Sequence, residues 1–68
     1  MNRLEAERRE RGWSKSELAR RAGLNQVTVI EATNGVRRLG PLQLEKAASA
    51  LGWAGDLAVL MEEAPTDD

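Results

Sequence analysis

Few side chains in this 68-residue chain are equipped for bond-making chemistry. It contains no Cys and no His, which removes the thiolate nucleophile, the commonest metal ligand and the usual general base together. No arrangement of Ser, Lys, Asp and Glu forms a nucleophile with its base or a metal-binding cage. The sequence therefore predicts no enzyme activity, no metal and no cofactor. Hydrogen bonding and ion pairing remain. The run Asn25–Gly35, NQVTVIEATNG, gathers amides at Asn25, Gln26 and Asn34, hydroxyls at Thr28 and Thr33, and one carboxylate, Glu31, with no Lys or Arg among them. Positive charge lies just outside it, at Lys15 and at Arg37 and Arg38.

The elements that position these groups read as short helices. Only two Pro occur and the six Gly fall at punctuating positions, whereas β-branched residues cluster only around Val27–Ile30, so the chain is expected to be all-α. A first helix runs from about Asn2 to Arg11, with Leu4 inward and Gly12 closing it. Its Arg3, Arg8, Arg9 and Arg11 interleave with Glu5, Glu7 and Glu10, the pattern of a solvated charge ladder. Ser14 and Glu17 have capping-box spacing and start a second helix, with Leu18, Ala19 and Ala22 inward and Gly23 at its end.

Asn25 caps a third helix whose inward side uses Val29 and Ala32, and Asn34-Gly35 ends it. Pro41 opens a fourth, with Leu44, Ala47, Ala48 and Leu51 at helical spacing and Gly52 after them. Trp53, Leu57, Leu60 and Met61 repeat that spacing in a fifth. Trp13 and Trp53, each following a helix end, read as core plugs. The whole is a compact all-α bundle of about five short helices over residues 1–63, a single domain near the lower size limit for unstapled folding, followed by an acidic tail, 64–68, expected to be disordered.

Net charge is −1, but its distribution matters more. Residues 1–52 hold all ten basic side chains against six acidic ones, while residues 53–68 hold five acidic and no basic ones. The body is basic and the end acidic, an arrangement that lets the end compete with an anionic ligand for the body. The first eleven residues are too charged for a signal peptide, and no apolar run approaches a membrane span. A cytoplasmic protein is expected.

Two short helices joined through Gly23-Leu24-Asn25, with the small Ala19 where they cross, describe a helix-turn-helix over about residues 14–34. The run RGWSKSELARRAGLNQVTV, followed by the NG pair and then KAASALG, resembles the phage lambda repressor and Cro family, the Xre-like regulators, over roughly residues 3–60. The resemblance implies that the third helix enters the major groove of double-stranded DNA. It places Gln26 against a base, where its amide suits adenine, Val27 against thymine methyls, and Glu31 where a carboxylate accepts from cytosine. Lys15, Asn25, Thr28, Asn34, Arg37 and Arg38 fall on positions that hold the sugar-phosphate backbone.

The function implied is a phage, plasmid or bacterial repressor that binds an inverted-repeat operator as a homodimer, in a bacterial or phage-infected cytoplasm. Leu57, Leu60 and Met61 are the candidate dimer stripe. Two departures stand out. Family members often pair an Arg of the first helix with an acid near the end of the reading helix; Arg8 matches the Arg, but Thr33 stands in the acid's place. Ile30 is apolar at a partly exposed position. With Val27 and Glu31 it offers an alternative, a protein-interaction module of antitoxin or co-regulator type on the same fold.

Overall fold

Each α-helix starts where the sequence supplies an acceptor for an orphan amide, or a proline that removes one. In the computed structural model, which describes residues 1–64, α1 (Arg3–Glu10) begins after Asn2, whose Oδ1 accepts from the Glu5 amide at 2.9 Å. For α2 (Lys15–Ala22) the Ser14 Oγ accepts from the Glu17 amide at 3.0 Å. For α3 (Gln26–Thr33) the Asn25 Oδ1 accepts from the Val27 amide at 2.8 Å. α4 (Pro41–Leu51) has Pro at its first position, and Gln43 Oε1 reaches back to accept from the Gly40 amide at 3.0 Å. Only half of the capping box expected at Ser14 forms. The Glu17 carboxylate, which would have reached back to the Ser14 amide, is instead drawn forward to Arg20 and Arg21, one turn along the same helix.

The turn between α2 and α3 depends on Gly23. Its φ of 68° is left-handed, and that conformation carries the Leu24 amide back to the Ala19 carbonyl at 2.9 Å. The bond satisfies an end carbonyl and sets the angle at which α3 leaves.

Among the described residues there are four α-helices, and the expected fifth is a five-residue 3₁₀ helix, Leu57–Met61, opened by Asp56 accepting from the Ala58 amide at 3.0 Å. Extended backbone at Glu62 cuts it short. There the chain turns to run beside α1: the Arg3 amide donates to the Glu62 carbonyl at 2.8 Å, and the Ala64 amide to the Met1 carbonyl at 2.9 Å. Ala64, assigned by the sequence to the tail, is buried. The rest of that expected tail, 65–68, lies outside the described residues.

α2 packs on both α3 and α4, while α1 and the 3₁₀ helix close the bundle from the other side. Leu4, Leu18, Val29 and Leu60 have no measurable exposure, and Ala19, Ala32, Leu39, Ala47, Ala48, Leu51 and Met61 surround them. Fully burying a leucine is worth about 1.5–3 kcal/mol, so Leu60 is a principal contributor to this fold. The stripe expected to meet a second copy is corrected accordingly. Leu60 and Met61 are buried in the chain's own core, and Leu57 packs against it, half-buried. A 68-residue chain has too little apolar volume to spare them.

The α1 charge ladder is also not uniformly solvated. Glu5 is 4 % exposed and receives the Arg8 Nε and Nη2 at 2.7 and 2.8 Å and the Arg9 Nε at 3.0 Å. Arg8 donates further to the Trp13 carbonyl, tying α1 to the entry of α2. Both Trp pack against the core as expected. Two guanidinium groups lie over the Trp13 ring, Arg21 at 4.5 Å and Arg11 at 5.7 Å from its centroid, a cation–π arrangement. Arg11 Nη2 also donates to the Leu51 carbonyl at 2.6 Å, capping the end of α4.

Candidate nucleic-acid interface

α3 is oriented by what it buries. With Val29 and Ala32 fully inside, a helix of 3.6 residues per turn must turn Gln26, Val27 and the flank of Ile30 and Glu31 outward. Val27 is 61 % exposed, Gln26 and Asn25 are exposed, and Ile30 and Glu31 are half-exposed. Thr28 does not join them. It is buried on the inward side, so the backbone contact expected of it is withdrawn; one step past Val27, the helix has already turned to the core.

Two cross-connections bring α2 to this face. Lys15 Nζ, in the first turn of α2, donates to Asn34 Oδ1 at the end of α3, so two expected backbone-holding residues far apart in sequence stand together. Gln26 Nε2 donates to the Ser16 Oγ. Ser16 was not among the residues singled out from sequence, and only the abutment of the α2 and α3 N-termini reveals its part. One amide hydrogen is used in this contact, which leaves the Oε1 acceptor and a second hydrogen of the exposed Gln26 available.

The loop after α3 folds back rather than standing free. The Val36 and Arg37 amides donate to the Glu31 carbonyl at 2.9 and 3.3 Å, and the Arg37 Nε lies 3.2 Å from Glu31 Oε1. The one acid on α3 is therefore partnered by a base from the loop. Arg38 is exposed next to it. The Arg20 guanidinium, followed by that of Arg21, holds the Glu17 carboxyl below the usual carboxylate range. Between residues 15 and 38 there are five basic and two acidic side chains, and both acids are paired, so the segment carries a positive surplus.

The bridge between Arg8 and the end of α3 is replaced. Thr33, buried, donates its hydroxyl to the Val29 carbonyl at 2.8 Å within its own helix, and Arg8 is committed to Glu5. Asn2 makes the connection instead: while its Oδ1 caps α1, its Nδ2 donates to the Ala32 carbonyl at 2.7 Å. The far end of α3 is thus tied to the start of α1 by an amide rather than by an ion pair.

This arrangement offers an open face of donors, acceptors and methyl groups with cations at its border. No group of three or more metal-ligating side chains occurs among the described residues, and no helix there is long and apolar enough to cross a membrane. A family model described as helix-turn-helix matches residues 4–53, from α1 to just past the end of α4. No curated protein and no solved structure matches the chain.

Proposed function

The chain belongs to the helix-turn-helix family of Xre-like and lambda-repressor-like DNA-binding regulators, and from that premise we propose that it is a sequence-specific repressor acting at an inverted-repeat operator. The observation that carries this reading is the outward presentation of Gln26 and Val27 at the start of α3, with Lys15 and Asn34 held together at its margin. Neither exposed side chain serves the core. Gln26 retains the acceptor and the donor that a bidentate contact to adenine requires, and Val27 presents methyls to thymine.

Phosphates supply most of the affinity, and base edges the choice of site. Lys15, Asn25, Asn34 and Arg38 take the backbone in this assignment. Two copies on one operator would set their α3 helices about 34 Å apart, one turn of duplex. Because Leu60 and Met61 are internal, the copies meet through other surface, and tight one-to-one binding to a single half-site would refute the dimer.

The test is affinity selection of the purified protein against a randomised duplex library. Two inverted half-sites one turn apart are expected. Failure of any sequence to survive washing at near-physiological salt would overturn the reading.

One observation favours a second reading. Val27 is 61 % exposed, and Ile30 and Glu31 on the same side of α3 are half-exposed, an apolar face flanked by an acid that a protein partner can use. Glu31→Lys separates the two: it strengthens non-specific DNA association in the first reading and abolishes partner binding in the second.

A further inference from the structure

Glu31 is the only acid on α3, and the fold delivers a specific base to it. After Asn34 the chain turns back so that the Val36 and Arg37 amides both converge on the Glu31 carbonyl. This places the Arg37 backbone beside the last turn of α3 and brings its side chain within reach of the Glu31 carboxylate. The carboxylate then sits 3.2 Å from Nε. Glu31 faces outward beside Gln26 and Val27, so the guanidinium is carried onto the same exposed face.

The Nε is the guanidinium nitrogen nearest the carboxylate, and no hydrogen bond among the described residues engages either terminal nitrogen. The edge those two form is a planar fork of N–H groups, and the neighbouring carboxylate biases its direction, which lowers the side-chain freedom that contact would otherwise cost. In the major groove the fork fits O6 and N7 of guanine; on the backbone it fits a pair of phosphate oxygens. The position among base-facing side chains favours guanine.

We infer that Arg37 is a guanine-reading residue and that Glu31 is its positioning residue, in place of an independent contact to cytosine. The inference rests on the reading of the chain as a sequence-specific DNA-binding protein. It also accounts for an acid on a face that meets a polyanion: the carboxylate's charge is offset by the cation it orients. Both partners are partly exposed, 47 % for Arg37 and 36 % for Glu31, so the pair contributes little to stability and its variants remain folded.

The experiment measures binding of the selected operator and all its single-base variants by the full chain and by Arg37→Gln, Arg37→Lys, Glu31→Ala and the Glu31→Ala/Arg37→Gln double variant. Arg37→Gln is expected to lose a preference of roughly ten- to a hundred-fold for guanine at one position. Arg37→Lys keeps its affinity for random duplex but loses the same preference, because an ammonium lacks the fork. Glu31→Ala loses preference at that same position, and adds nothing to the loss when Arg37 is already changed.

Three results overturn the inference. An Arg37→Gln variant that binds all sequences more weakly alike, with its preference at every base position unchanged, would make Arg37 a phosphate contact. Losses at two different positions that multiply in the double variant would make Glu31 an independent reader. A parent chain that selects no sequence at all would remove the DNA-reading premise itself, a failure distinct from the other two.

Discussion

Replacing Glu5 by Ala is expected to cost more stability than any other single change to the charged residues. The side chain is 5 % exposed and the Arg8 side chain 15 %, so the bidentate pair at 2.7 and 2.8 Å is largely removed from water. Deleting one partner of a buried pair costs about 3–5 kcal/mol, because the other charge stays desolvated. Arg8 keeps the Trp13 carbonyl as a partner and some solvent access, which puts the expected loss at the lower end, about 3 kcal/mol. Arg9, 58 % exposed, adds little. At about 0.05–0.15 kcal/mol per residue, a chain of 68 residues has a total stability of only about 3–10 kcal/mol, so this is a third of it or more.

Urea unfolding of the parent and Glu5→Ala at pH 7 reads the loss directly. The pH dependence supplies the second check. The Arg8 hydrogen bonds, against an opposing effect of burial, hold the Glu5 carboxyl below its ordinary value of 4.5. A carboxylate depressed in the folded state contributes stability that is present above its unfolded value and is lost as pH falls through the folded one. The gap between parent and variant should therefore be full at neutral pH and narrow steadily below about pH 4.5. A loss under about 0.5 kcal/mol, or a gap that does not change with pH, would refute the account of Glu5 as a buried, ionised anchor.

The remaining expectations divide between interface and core. Gln26→Ala should lower discrimination at one base position by about 1–3 kcal/mol with little change in affinity for random duplex, and Ser16→Ala should produce a smaller loss at that same position, both read by competition with single-base operator variants. Arg38→Ala should weaken all sequences alike and reduce the slope of log K against log salt by about 1. Leu60→Ala should destabilise by about 2–5 kcal/mol in urea unfolding; a near-neutral result would return Leu60 to the surface and reopen the dimer stripe.

Helix boundaries were legible because the forces that set them are local. Asn2, Ser14 and Asn25 each cap within three residues of themselves, and Gly23 reverses the chain on its own conformation. The inward residues of α2 and α3 followed from periodicity. What escaped depends on neighbours distant in sequence. Nothing around Glu5 marks it as buried, since the cover comes from elements that pack on α1. Thr28 is polar and sits beside the exposed Val27, yet the packing of α3 turns it inward. Ser16 gains its part only where the starts of two helices meet. The 3₁₀ helix escaped for the same reason. Its apolar spacing suited an α-helix, but the pairing of Glu62 with Arg3 stops it after five residues.

The pairing of residues near position 2 with residues near position 63 also bears on the order in which the protein assembles. Closing a loop of about sixty residues costs about 1 kcal/mol more than closing one of about twenty, whereas α2, α3 and α4 follow one another with short connections and pack together without that closure. The central three helices should thus condense first, and the seam between the two ends last. Thermal fluctuation runs the same path in reverse: the seam opens before the centre does. Amide exchange should be fastest at Arg3 and Ala64 and slowest along α2, so that α3 keeps its support from α2 in molecules whose ends have come apart.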